Sequence, residues 1–100
     1  MAGKNKTVIA QAIKAHIARQ GGPYGSWYVG ITNDINERLF GSHKVPKANH
    51  WFIYDEALNH EDAREIEAHF HGLGCKGDTG GGKTSSVFVY AYLITGITRE

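Results

Sequence analysis

Residues Trp27 to Thr32 constrain this chain more than any other stretch. Trp27, Val29 and Ile31 alternate with Tyr28, Gly30 and Thr32, the period of a strand with two distinct faces. A Gly inside a strand forgoes side-chain packing and often marks a close approach by another backbone or a ligand. Asp34 and Glu37 follow at the spacing of a capping box, so the strand is expected to run into a helix from Asp34 to about Ser42. Arg38 falls in the first turn or so of that helix, near its free N–H groups. A helix N-terminus, a guanidinium and a bare Gly together suit a phosphate. Taken singly, the same residues also suit an ordinary strand–helix corner with a solvated Arg.

The remaining chain divides cleanly. Val8, Ile9, Ala12, Ile13, His16 and Ile17 recur at helical spacing, and Gly21-Gly22-Pro23 ends the segment, which predicts a helix over Thr7 to about Gln20. His16 on the edge of that stripe reads as a packing residue. A polar, basic connection, His43 to His50, leads to a second strand over Trp51–Ala57. Asn59 or His60 opens another helix, with Glu61 and Asp62 suited to its first turn, running to about His71. Gly72, Gly74, Gly77, Gly80, Gly81 and Gly82 then make a loop. The last strand, Ser86–Ile94, is apolar on both faces, so it should be central in its sheet. The expected architecture is α/β in the α+β sense: a three-stranded, mainly antiparallel sheet packed with three helices. Residues 1–100 form one domain, with 1–25 an N-terminal helix and turn and 26–94 the core.

Composition bounds the function without naming it. A hydrophobic fraction of 41% with 21% charged residues is that of a globular domain. The formal charge of +1 supplies no overall field for nucleic acid. Lys4, Lys6, Lys14 and Arg19 make a weak basic patch that a solvated helix face explains equally well. The single Cys75 excludes an internal disulfide and fits a reducing compartment. No run approaches the ~20 apolar residues of a membrane span, and no signal-peptide core is present, so a cytoplasmic location without membrane contact is expected.

Glu67 breaks a local rule. Ala63, Ile66, Phe70 and Leu73 form the apolar stripe of their helix. At about 100° per residue, Glu67 lies about 40° from Ala63, on the flank of that stripe. A carboxylate there needs a cation, a hydrogen-bond donor or a metal; a salt bridge to a nearby Lys or Arg would satisfy it too. Glu65 points away as a surface acid. Gly77 to Thr84 matches the P-loop pattern in full, but the phosphate-cradling mechanism needs a strand before the loop and a helix after it. Here the order is reversed, which argues against nucleotide binding; the loop amides and Lys83 could still meet a nucleic-acid phosphate. His69, His71 and Cys75 match no closed zinc pattern, and Cys75 reads as a small packed residue.

Tyr28-Val29-Gly30 followed by Thr32, Asn33-Asp34 and Arg38 resembles the second half of the GIY-YIG nuclease signature. Ala63-Arg64-Glu65-Ile66-Glu67-Ala68-His69-Phe70 resembles the helix that carries that family's metal-binding Glu, and Glu67 takes its place. The likeness covers residues 26–94. It departs from the family in three places. The GIY strand should precede Tyr28, where this chain has its first helix. Ser42, with His43 beside it, stands at the family's frequent His or Tyr. The closing Asn has no clear counterpart. In a permuted arrangement Ser86–Ile94 would fill the missing strand's place, with Tyr90 or Tyr92 supplying its Tyr.

The resemblance implies a metal-dependent DNA endonuclease using one Mg²⁺ or Mn²⁺ ion at Glu67. Arg38 would stabilise charge on the phosphoryl oxygens. Tyr28, a Tyr of the last strand such as Tyr90, or His43 would position or deprotonate the water. Gly30, Arg38, Lys44, Lys47 and Lys83 would meet the nucleic acid, DNA or alternatively RNA. Specificity would come from this fold, a homodimer or a partner protein. The rival reading is a GIY-YIG-like module that binds nucleic acid without cleaving it.

Overall fold

The computed structural model describes residues 5–20, 23–35, 37, 40–41, 52–77 and 87–94. Helix α1 spans Lys6–Gln20, a 3₁₀ turn Tyr24–Ser26 leads into strand β1 (Trp27–Thr32), β2 is Phe52–Glu56, helix α2 is His60–Leu73 and β3 is Phe88–Leu93. The sheet order is β1–β3–β2, with both pairings antiparallel. The last strand is therefore central, as two apolar faces require.

Strand alternation sorts the core into two layers. Trp27, Val29, Ile31, Val89 and Ala91 point to one side and pack with Ile9, Ile13 and Ile17 of α1 and Ala63, Ile66 and Phe70 of α2. Tyr28, Tyr90 and Tyr92 point to the other side, where Ile35, Phe40, Phe52 and Phe88 join them. His16 is buried and meets Trp27 edge-on, with ring centroids 5.6 Å apart at 85°. Val8 departs from the expected stripe and is 51% exposed. It sits about 100° round the helix from Ile9, beyond the width of the buried face.

Local signals at α2 are met by side chains and backbone. Asn59 caps the helix, its Oδ1 accepting from the Asp62 amide at 2.8 Å. At the other end Gly74 has φ 114°. The Gly74 amide donates to the His71 carbonyl and the Cys75 amide to the Phe70 carbonyl, the paired bonds of a Schellman stop.

The expected third helix is the main correction to the architecture; in addition Gly72, expected in the loop, lies within α2, and Leu73, expected in the apolar stripe, is exposed. Two α-helices are bounded among the described residues, not three. Asp34 does cap, with Oδ1 accepting from the Glu37 amide at 3.2 Å. Ile35 is helical, but Glu37, Phe40 and Gly41 are π-helical; Asn36, Arg38, Leu39 and Ser42 lie outside the described residues. The wider i→i+5 turn has a packing reason. It suits Ile35 and Phe40, five apart, which both join the aromatic side of the sheet. No helix among the described residues is long and apolar enough to cross a membrane.

Burial predicts a contrast in stability. Phe70→Ala empties a fully buried position and should cost about 3–5 kcal/mol in urea unfolding. Val8→Ala should change stability by no more than about 0.5 kcal/mol.

Candidate functional site

The antiparallel register places side chains of the aromatic face in rows across the sheet. Tyr28, Tyr92 and Phe52 form one row, and Gly30, Tyr90 and Tyr54 the next. The Tyr28 ring stacks on Tyr92 at 5.2 Å and 20°, and on Tyr90 at 6.2 Å and 12°. Gly30 is explained by what lies on it. A Cβ at Gly30 would sit 2.5 Å from the Tyr90 phenolic oxygen and 2.7 Å from its Cζ. The hydroxyl end of the Tyr90 ring therefore covers Gly30, in the space a side chain would take. The close approach anticipated at this glycine is made by a neighbouring Tyr.

The outer edge of β1 is closed by the segment that follows α2. The Val29 amide donates to the Lys76 carbonyl at 2.9 Å, and the Lys76 amide to the Trp27 carbonyl at 2.8 Å. This segment runs parallel to β1. His71 Nε2 lies 2.9 Å from the Val29 carbonyl oxygen. A carbonyl only accepts, so Nε2 carries the proton. Gly77 makes this contact possible, because a Cβ there would collide with the His71 ring and the Val29 carbonyl.

Glu67 stands one turn before His71 on the same side of α2. The His71 contact fixes α2 relative to the edge of β1. Glu67 is buried, 5% exposed, beside Ala63, Ile66 and Phe70, as its helical phase required. A carboxylate this buried leaves little room for Mg²⁺ with most of its waters. Among the described residues no group of three or more His, Cys, Asp or Glu could hold a metal ion.

The structure thus brings Tyr90 against both Tyr28 and Gly30, while Glu67 is buried on α2, the helix that packs against the opposite face of the sheet. Arg38, His43, Lys44, Lys47 and Lys83 lie outside the described residues. Sequence reasoning missed His71 and Gly77 as a linked pair; His71 had been weighed only for metal binding. The basic patch on α1 is a solvated face in part, since Lys6 pairs with the exposed Glu65. That pairing, a hydrogen bond and then the charge of Glu65, raises the Lys6 pKa.

Two measurements follow. Gly30→Ala forces Tyr90 off β1 and should cost about 1–3 kcal/mol; combined with Tyr90→Leu the cost should shrink, a coupling of about 1 kcal/mol in a double-mutant cycle. Burial pushes the Cys75 thiol from 9.0 up to about 11. About one thiol in a thousand is then ionised at pH 8, against about a tenth at the ordinary value. Iodoacetamide should therefore label Cys75 in the native protein about a hundredfold more slowly than in urea, with the native rate climbing as pH approaches 11. In comparisons with family models, curated proteins and solved structures, nothing matches this chain, so its functional reading stands on these residues.

Proposed function

We propose that the chain is a metal-dependent DNA endonuclease built as a permuted GIY-YIG-like domain. The carrying observation is the antiparallel pairing of β3 with β1, in register Gly30 to Tyr90. Under the permuted reading, the strand missing before Tyr28 is supplied by the end of the chain. Tyr90 then stands beside Tyr-Val-Gly, stacked on Tyr28.

In this reading Glu67 would hold one Mg²⁺ or Mn²⁺, which would supply charge neutralisation at the scissile phosphate and its leaving oxygen. Arg38 donates to the phosphoryl oxygens as charge accumulates there. A Tyr has an ordinary pKa near 10, so Tyr28 or Tyr90 serves best by orienting the attacking water, with His43 as the group able to take its proton near neutral pH. Lys44, Lys47 and Lys83 neutralise backbone phosphates and fix the register of the strand without reading its sequence. Gly30 contributes by giving Tyr90 its place.

One observation favours the non-cleaving alternative. Tyr28 is 4% exposed, Tyr90 1% and Glu67 5%, which is the burial of packing groups rather than of groups open to a phosphodiester. Nicking of supercoiled plasmid separates the two readings. With Mg²⁺ or Mn²⁺ the wild type should nick, and EDTA should stop it. Arg38→Ala and Glu67→Gln should each lose about a hundredfold or more in rate. Cleavage that survives both substitutions removes the site assignment. A folded wild type that binds DNA in a salt-dependent way and never cuts it establishes the binding module instead.

A further inference from the structure

Helices α1 and α2 leave an open groove of about 390 Å³ between them, within the size range of small-molecule sites. Its floor is apolar, made by Ala10 of α1 and Ile66 of α2, both of which belong to the core packing. Lys6 and Lys14 line it from α1, Glu65 and His69 from α2. Lys6, Ala10 and Lys14 follow one another at four-residue spacing, so they stand in one line along the helix. The two lysines are then about 12 Å apart along that line.

The two ends of that line differ in charge. Lys6 is paired with Glu65, the one acid that lines the groove among the described residues. Lys14 is half-buried and makes no ion pair among the described residues. Two lysines and one carboxylate leave a single positive charge over, at the Lys14 end. A half-buried ammonium gains from a fixed anion, because water screens the pair less well there than in the open. A bare anion would satisfy Lys14 and leave the apolar floor wet. A nucleic-acid backbone would lay further phosphates over that floor and toward Glu65. A small monoanion with an apolar body matches both features.

We propose that the α1–α2 groove binds a free medium-chain carboxylate, its carboxylate on Lys14 and its chain over Ala10 and Ile66. The site lies on the helical side of the sheet and does not rest on the nuclease reading. Octanoate, whose extended chain spans most of the distance between the two lysines, is the probe. Titrated into the ¹⁵N-labelled chain at neutral pH, it should shift the amides of α1 around Lys14 and of α2 around His69, and saturate. Octan-1-ol and acetate each lack one half of the recognised chemistry, and should bind at least about tenfold more weakly. Lys14→Gln should weaken octanoate about tenfold or more, whereas Lys14→Arg keeps the charge and should stay within about threefold. Ala10→Met raises the floor and should block the site. Glu65→Gln removes the acid from the groove and should not weaken binding. Thermal unfolding of each variant checks that it is folded.

Octanoate that leaves these amides unmoved up to its solubility overturns the proposal. So does octan-1-ol that binds as well as octanoate, a comparison made on the wild type that decides the matter even if Lys14→Gln fails to fold. Equal octanoate binding by a folded Lys14→Gln and the wild type overturns it too. Oligothymidylate that shifts the same amides more strongly than octanoate does, and through Lys14, overturns it in favour of a nucleic-acid phosphate contact. Loss of octanoate binding in Lys14→Gln, with octan-1-ol and acetate weak on the wild type, supports it whether or not any variant nicks plasmid.

Discussion

The Tyr90 ring lying over Gly30 is the contact on which the rest of this structure depends. It requires β3 beside β1, antiparallel and in one register; a slip by one residue would turn Tyr90 toward the helices. It also requires no side chain at position 30. The glycine forgoes packing of its own, and the ring over it recovers that packing. Because β3 also pairs with β2, the same strand carries both aromatic rows and fixes how the two outer strands face each other.

Helix α2 is set against this sheet by two kinds of interaction. Ala63, Ile66 and Phe70 bury themselves in the core under Val29 and Val89, which holds the helix to the sheet without specifying its position along β1. The backbone bonds of Lys76 and the His71 contact to Val29 specify that position. Apolar burial is non-directional, whereas a hydrogen bond is sensitive to both distance and angle. The edge of β1 is thereby occupied, while β2 forms the other margin of the sheet among the described residues. The closed margin beside β1 and the exposed Tyr54 on β2 give the two ends of the Gly30–Tyr90–Tyr54 row different surroundings.

Much of this was legible in the residues, and the failures have physical causes. Alternation in Trp27–Thr32 separated Trp27, Val29 and Ile31 from Tyr28, because period two admits only two outcomes. The double apolar pattern of Val89 to Tyr92 marked the central strand. Helical phase alone put Glu67 at the core's flank. The expected helix after Asp34 failed at its width: the cap was readable from Asp34 and Glu37, but the π-helical turn answers to Phe52 and the sheet, far away in sequence. Val8 misled because an apolar residue beside a stripe looks like part of it. Gly30 reads as a close approach by another backbone or a ligand, since nothing local says that Tyr90 will fill the space. His71 and Gly77 could be found only in pairs of distant groups, the Nε2–H of one residue and the carbonyl of another.

The central proposal is that Glu67, buried on α2, holds a divalent ion. Mn²⁺ added to ¹⁵N-labelled protein measures this most directly, because a bound paramagnetic ion broadens only the amide signals near it. The account predicts selective broadening centred on Glu67 and its neighbours on α2, abolished by Glu67→Gln in a protein that stays folded. Broadening elsewhere, or an unchanged pattern in Glu67→Gln, would contradict it.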